Sequence, residues 1–233
     1  MRETHVRIGL VLPDVLGTYS DAGNATVLCK RLEWRDIDAT IVPIRLRDDV
    51  PSSLDLYLLG GGEDEAQALA AARLRSTPGL HQAAERGAVV VGVCAGLQVL
   101  GTRFMSTDGV EHAGLGLLDL ETRPGECRAV GEVAAQPNLF DAPLTGFENH
   151  RGVTTVGPGS RPLGTVTRGI GNGDGTEGAV TGHVLATYLH GPVLARNPAL
   201  ADLLLTWALG AELSPLDMPE VTELRRERLR GRR

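Results

Sequence analysis

The chain has 233 residues, a formal net charge of -6 and an apolar fraction of 42%. That length and apolar content are enough for one α/β domain with a substantial core. The negative charge argues against nucleic-acid binding, and no apolar stretch reaches the roughly 20 residues that a membrane span needs. The sequence opens without a secretory signal pattern, and we therefore expect a cytoplasmic protein.

Short apolar runs rich in β-branched residues alternate with helical patterns through the first half of the chain. The runs predict strands at residues 5–13, 39–46, 54–59 and 88–93, and the helical patterns lie at 23–35, 64–75, 79–86 and directly after Cys94. Because each crossover helix buries its apolar stripe against the strands, this order predicts an α/β fold with a mostly parallel sheet and helices on both faces.

The second half has a different character, with many Gly, Pro, Thr and Val residues between 115 and 190. Strand-like pieces at 117–122, 128–134, 163–167 and 183–189 predict antiparallel additions to one edge of the sheet, and 169–178 is typical of a flexible loop. Leucines at helical spacing predict a helix over 198–209. We assign 1–213 to a single domain and 214–233 to a basic C-terminal tail, expected as a solvated or frayed helix, with docking to a partner or an anionic membrane as the alternative.

Residues 88–101 carry the strongest chemical signal in the sequence. A buried strand runs into Gly92-Val93-Cys94-Ala95-Gly96 and then into an apolar helix, which is the G-x-nucleophile-x-G elbow with cysteine as the nucleophile. Small neighbours allow the sharp turn, and the helix N-terminus favours the thiolate. The alternative is a buried Cys94 that only packs, but flanking glycines favour the elbow. Cys29 and Cys127 lack such a setting, and three widely spaced cysteines indicate neither a disulfide framework nor a metal site.

A cysteine nucleophile needs a proton donor for the leaving amine, usually a histidine. His190 closes the last predicted strand, whereas His183 opens it, and ligands of open α/β sheets bind at the carboxyl ends of strands. We therefore predict His190 as the base. His150 in a polar turn is the rival, and His5, His81 and His112 are expected at solvated positions.

The strand at 54–59 ends in Gly60, Gly61 and Gly62, whose backbone can approach a ligand closely. Gly61 or Gly62, together with the N–H of Ala95, can supply an oxyanion hole in which one donor contributes about 3 kcal/mol. The alternative is a flexible turn without a role. A phosphate cradle is excluded because no Lys-Ser/Thr pair follows the glycines.

With these segments placed, the chain resembles the class I glutamine amidotransferases of the cobyric-acid-synthase-like group, and within them the GatD-type subunits of lipid II isoglutaminyl synthases. The matching stretches are Tyr19–Asn24, GGGEDEAQAL at 60–69, VCAGLQVLG at 93–101, GFENHRG at 146–152 and ATYLHGPVLARNPALAD at 186–202. The elbow alone marks only the superfamily, whereas the other stretches make the GatD-type resemblance specific.

The resemblance implies a glutaminase: Cys94 attacks the side-chain amide of L-glutamine, a γ-glutamyl thioester forms, and His190 transfers the proton. It also implies that Gln98, Arg128 and Asn149 contribute to glutamine binding, with the guanidinium suited to the α-carboxylate. A surface charge is the alternative for Arg128.

The resemblance further implies a partner. Ammonia would pass to a MurT-like Mur ligase subunit that activates the D-glutamate of lipid II with ATP and Mg²⁺, so this chain would hold no metal or cofactor and would lie near the membrane only through its lipid-linked acceptor. Many class I members carry a carboxylate two residues beyond the histidine, where this chain has Pro192. We therefore expect a carboxylate of the partner to orient His190.

Three other functions stay open on the residues alone. The chain can serve a different acceptor, such as a cobalamin-type precursor. It can be a binding subunit without catalysis, or a thiol hydrolase on the same elbow. The absence of a fused ATP-binding domain argues against the cobyric-type enzyme, and the intact elbow argues against a subunit without catalysis.

Overall fold

The computed structural model describes residues 5–17 and 22–230, so Tyr19, Ser20 and Asp21 of the first matching stretch lie outside the described residues. The strands are β1 (His5–Val11), β2 (Asp38–Ile44), β3 (Leu56–Leu59), β4 (Val89–Val93), β5 (Arg103–Met105), β6 (Glu111–Ala113), β7 (Leu120–Pro137), β8 (Leu144–Val156), β9 (Gly164–Arg168), β10 (Thr176–Glu177), β11 (Ala179–Thr181) and β12 (Val184–Thr187). The helices are α1 (Gly23–Glu33), α2 (Asp64–Arg75), α3 (Gly79–Glu85), α4 (Ala95–Leu100), α5 (Val193–Arg196), α6 (Pro198–Leu209) and α7 (Pro219–Arg230).

A six-stranded sheet with the order β11-β12-β4-β3-β1-β2 forms the centre of the fold. Every pairing in it is parallel except that of β11 with β12. All residues of β3 and β4 are buried, because helices cover both faces and leave no side for water. The predicted α/β fold is confirmed, and the first four strands and helices lie within a few residues of their predicted bounds.

Most of the strands predicted as antiparallel edge additions differ from that prediction, and the piece at 183–189 is β12, which pairs with β4 in parallel register. Only β11 extends the edge of the parallel sheet, whereas β10, β9, β7, β5 and β6 form a second sheet to which β8 is added through β7. The pieces predicted at 117–122 and 128–134 belong to one strand, β7, whose register shifts between Pro124 and Ala129. In the sequence, the run Arg123–Cys127 separates two predicted strands. In the structure, it is an irregularity inside one strand.

Strand β8 was not predicted, and the interpretation of His150 as part of a polar turn was wrong. The strand pairs with β7 in antiparallel register from Leu120↔Val156 to Ala135↔Leu144. Its inward-facing residues include Glu148, His150 and Thr154, all buried. Because these inward residues are polar, the strand lacks the alternation of apolar and polar residues that marks a half-buried strand.

The C-terminal part of the chain packs back on the domain. Helix α6 has the predicted bounds and buries Leu200, Ala201, Leu204 and Leu205. Helix α7 buries no residue completely, as expected for the tail, but Arg225 donates hydrogen bonds to the carbonyls of Arg196 and Pro143. In the described part of the chain, no helix combines the length and apolar character that a bilayer crossing requires.

Candidate active site

Cys94 occupies the turn between β4 and α4. Its backbone has φ 55° and ψ -104°, a conformation that costs a residue with a Cβ about 1–3 kcal/mol. The Cys94 N–H donates to the carbonyl of Thr187 at 2.9 Å, and the Cys94 carbonyl accepts from the Gln98 N–H at 3.3 Å. This strained turn has the geometry of the predicted elbow, and Cys94, although only 8% exposed, lines a cavity.

The two glycines that flank Cys94 are required by close packing. A Cβ on Gly92 would lie 2.7 Å from the carbonyl of Gly96, and a Cβ on Gly96 would lie 2.7 Å from the carbonyl oxygen of Leu59. The Gly96 N–H also donates to the carbonyl of Gly60 at 3.1 Å. The glycine-rich loop that follows β3 is therefore attached to the start of α4, beside the cysteine.

A cavity of about 490 Å³ opens at this point of the fold. Six of the predicted site residues line it, namely Gly62, Cys94, Ala95, Gln98, Arg128 and Asn149. Its other lining residues are Glu63, Asp64, Glu65, Gln67, Thr107, His150 and Arg151. Gly61 and His190 are not among the lining residues.

The walls of the cavity carry opposite charges. Arg128 and Arg151 come from β7 and β8, and Glu63, Asp64 and Glu65 come from the start of α2. The Nε of Arg128 donates to Oδ1 of Asn149 at 2.6 Å, which orients the guanidinium. Asp64 accepts hydrogen bonds from the N–H and the hydroxyl of Thr107 at 2.7 and 2.6 Å. A zwitterion such as a free amino acid matches this arrangement, with its carboxylate toward the arginines and its ammonium toward the carboxylates.

The floor of the cavity is a chain of buried hydrogen bonds. Gln98 accepts at Oε1 from Gln67 at 2.7 Å and donates from Nε2 to the Tyr188 hydroxyl at 3.3 Å. Tyr188 also lies within 2.8 Å of the Thr154 hydroxyl. The side-chain amide of Gln98 therefore connects α2 to the second sheet, which is a positioning role beyond the predicted contact with glutamine.

Tyr188 stays protonated in this network. Burial raises the pKa of its hydroxyl far above the ordinary value, and the charge of a thiolate at Cys94 raises it further. A neutral tyrosine keeps its proton for hydrogen bonding. Tyr188 therefore contributes a hydroxyl proton to the network under the cavity.

His150 lines the cavity but has partners on its own strand. Its Nδ1 lies 3.0 Å from the Gly152 carbonyl, and its Nε2 lies 3.6 Å from Oε2 of Glu148. The ring stacks on Tyr188 with a centroid distance of 3.7 Å. Burial raises the pKa of Glu148, but the nearby His150 ring and hydrogen bonds from the N–H groups of Gly171 and Ile170 outweigh it and bring the pKa below the usual value. These contacts fix the ring within the second sheet.

His190 lies three residues after the point where β12 meets the elbow. The carbonyl of Thr187 accepts from the N–H of Cys94, and the backbone of His190 then pairs with Phe147 of β8 through hydrogen bonds of 2.9 and 3.2 Å. His190 is 2% exposed. His183, at the other end of β12, lies 2.8 Å from the Gly87 carbonyl and stacks on Trp207, so it belongs to the opposite end of the sheet.

The sequence did not indicate Gln67, Thr154, Arg151, Tyr188 or the acidic wall as part of the site. Tyr188 has a weak signal, because a tyrosine two residues before the predicted base is placed near it by strand alternation. Gln67 and the acidic residues carry no such signal in the sequence, since polar residues are typical of the start of any exposed helix.

Comparisons with known proteins agree with this geometry. Residues 7–198 match the family of CobB/CobQ-like glutamine amidotransferase domains. The chain is 37% identical to the GatD subunit of the glutamine-hydrolysing lipid II isoglutaminyl synthase of Staphylococcus aureus, over 90% of this chain and 87% of that one. It is 32% identical to the corresponding subunit of Streptococcus pneumoniae, over 84% of this chain and 77% of that one.

Other relatives share only part of their length or only the fold. A cobyric acid synthase of Mesorhizobium japonicum is 40% identical over 46% of this chain, a match that spans 22% of that enzyme. A crystal structure of a glutamine amidotransferase superposes with a TM-score of 0.59 at 21% identity, over 86% of this chain and 98% of that one. The glutaminase domain of Trypanosoma brucei CTPS superposes with a TM-score of 0.51 at 14% identity, over 90% of this chain and 96% of that one.

The family match covers most of the described domain, and the two full-length relatives exceed 30% identity over more than three quarters of their own length. The chain therefore belongs to the CobB/CobQ-like glutamine amidotransferases, and it is a glutamine amidotransferase subunit similar over most of its length to GatD of lipid II isoglutaminyl synthase.

Proposed function

We propose that the chain hydrolyses L-glutamine through a thioester on Cys94 and supplies ammonia to a MurT-like ATP-dependent ligase that converts the D-glutamate of lipid II to D-isoglutamine. The observation that carries this proposal is the strained elbow of Cys94 at a cavity with oppositely charged walls. The similarity to two GatD subunits supports the acceptor.

The reaction uses the residues around the elbow in two steps. The thiolate of Cys94 attacks the side-chain amide carbon of glutamine, and the N–H groups of Ala95 and of Gly61 or Gly62 stabilise the developing oxyanion. Protonated His190 gives its proton to the amide nitrogen, the C–N bond breaks and ammonia leaves. Water then attacks the thioester, His190 takes the proton, the C–S bond breaks and glutamate is released.

Recognition of glutamine follows from the charges of the cavity. The guanidinium of Arg128, oriented by Asn149, binds the α-carboxylate, and the carboxylates at the start of α2 face the α-ammonium group. Gln98 holds the floor of the cavity below the substrate. A compact amino acid thus fits better than an extended peptide, which lacks one or both terminal charges.

His190 and His150 compete for the role of base, and a matched pair of variants separates them. We expect His190→Gln to lower kcat by at least about 100-fold. His150→Gln removes the contact with Glu148 and weakens folding more than the chemical step. Equal losses of kcat per folded molecule in the two variants would contradict the assignment of His190.

The partner subunit supplies the synthetase chemistry, and ATP and Mg²⁺ bind there. We propose that a carboxylate of the partner also orients His190, since Pro192 occupies the usual position of the acid. The isolated chain should then release glutamate slowly, and addition of the ligase subunit should accelerate release. Full activity of the isolated chain would refute this part of the proposal.

The free thiols and the proposed cytoplasmic substrates favour a cytoplasmic location.

The acceptor is tested separately from the glutaminase step. With the ligase subunit, ATP and glutamine, we expect amidation of lipid II and no amidation of a corrin carboxylate. Amidation of the corrin alone would contradict the proposed acceptor but not the proposed glutaminase step. Absence of glutamate release under every condition would instead favour a binding subunit.

A further inference from the structure

The second sheet places a fully buried carboxylate next to the segment that carries His190. Glu177 ends β10 and has no exposed surface. In sequence it lies in the glycine-rich run GIGNGDGTEG, which is typical of a flexible loop. A buried, ionisable side chain in such a run has a high desolvation cost, so its presence needs a compensating role.

Glu177 binds Thr187, which contacts the elbow, and Tyr188, the residue after it. Its Oε1 accepts from the hydroxyl of Thr187 at 2.5 Å and from the N–H of Tyr188 at 2.8 Å. Thr187 is the residue whose carbonyl accepts from the N–H of Cys94, and Tyr188 closes the hydrogen-bond chain under the cavity. One carboxylate therefore fixes the strand end that lies between the nucleophile and the predicted base.

The charge of Glu177 also acts on the histidine. Burial raises the pKa of Glu177 to about 7, and the hydrogen bonds from Thr187 and Tyr188 oppose that increase. The charge of Glu148 raises this pKa further, whereas the charge of His190 lowers it. Glu148 is on strand β8 of the same sheet, and its carboxylate accepts hydrogen bonds from the N–H groups of Ile170 and Gly171. Glu177 accepts from the N–H of Tyr188, two residues before His190, and both Glu177 and His190 are buried, so little solvent screens the charge of one from the other.

We propose that Glu177 is a positioning residue of the glutaminase site, an inference that rests on the proposed function. Its carboxylate fixes the Thr187–His190 segment against the elbow, and its negative charge stabilises protonated His190. No atom of Glu177 needs to touch glutamine in this role. A carboxylate from the partner would act in addition, on a site that this chain has already arranged.

The test compares Glu177→Gln with a matched surface variant in the complex with the ligase subunit. Glutamine keeps an oxygen that can accept from Thr187 and Tyr188, so Glu177→Gln removes the charge and retains both hydrogen bonds. We expect kcat for glutamate release to fall about 100-fold with KM within about twofold of wild type. The control Glu121→Gln, at a surface ion pair with Arg103 on the same sheet, should leave both constants unchanged.

A second measurement does not depend on glutaminase activity. In histidine-labelled protein we expect the NMR titration of His190 to lie about one pH unit lower in Glu177→Gln than in wild type, and to stay unchanged in Glu121→Gln. An unchanged His190 titration would overturn the proposal even if kcat fell, since packing alone would then explain the loss. Retained kcat would also overturn it. If wild type released no glutamate, the proposed function would fail, and the titration would still decide the role of Glu177.

Discussion

The two sheets of this protein contribute to the site in different ways. The parallel sheet is apolar throughout β3 and β4, and it supplies the elbow of Cys94 and the glycine-rich loop. The second sheet buries polar side chains, among them Glu148, His150 and Glu177, and it supplies the arginines of the cavity. The first sheet provides a rigid strand end, and the second provides charges whose burial is tolerated only with partners.

This contrast predicts that damage to the parallel sheet at the elbow has the largest effect on stability. In Gly96→Ala the new Cβ meets the backbone of Leu59, which cannot move without displacing β3. We expect the free energy of unfolding to fall by about 3 kcal/mol, measured by urea denaturation. The control Gly109→Ala has open space around its Cβ but φ 87°, and should cost about 1 kcal/mol. Equal costs in both variants would argue against the tight contact at the elbow.

A buried acid in the second sheet should make stability depend on pH. The pKa of Glu177 is raised from 4.5 to about 7 in the folded chain, so folding favours the neutral acid at low pH, and the charge that acts on His190 develops as the pH rises through about 7. Relative to Glu177→Gln, wild type should keep its full stability below pH 4.5 and lose about 3 kcal/mol as the pH rises to about 7. Denaturant unfolding of both proteins between pH 4.5 and 8 measures the difference. A constant difference across this range would contradict the buried, titrating carboxylate.

Arg128 tests whether the second sheet binds the substrate. Arg128→Lys keeps the charge but loses the planar fork that Asn149 orients. We expect KM for glutamine to rise about tenfold, with kcat unchanged, because the lost contact is the same in the ground state and the transition state. Steady-state kinetics of glutamate release give both constants. An unchanged KM would support the alternative of a surface charge.

The strain at Cys94 gives the smallest expected change. Glycine adopts φ 55° without a Cβ penalty, but it also gains entropy in the unfolded chain. We therefore expect Cys94→Gly to raise the free energy of unfolding by about 1 kcal/mol, measured by chemical denaturation at neutral pH. Destabilisation by the same amount would show that the turn is relaxed in solution.

The same contrast explains what could be predicted from the sequence. Apolar β-branched runs and an elbow motif identify the parallel sheet and Cys94, because burial on both faces leaves a continuous apolar signal. Strand β8 lacks that signal, since its inward residues include Glu148 and His150. Glu177 lies in a run of glycines and is buried by strands far along the chain. No local pattern reports such a contact.

Release of glutamate from L-glutamine shows whether Cys94 is the nucleophile that cleaves the amide. In the complex with the ligase subunit, wild type should release glutamate and ammonia from L-glutamine, and a γ-glutamyl adduct on Cys94 should be detectable by mass spectrometry after rapid quenching. Cys94→Ala should fold normally and show neither product nor adduct. Glutamate release by Cys94→Ala at the wild-type rate would contradict the account.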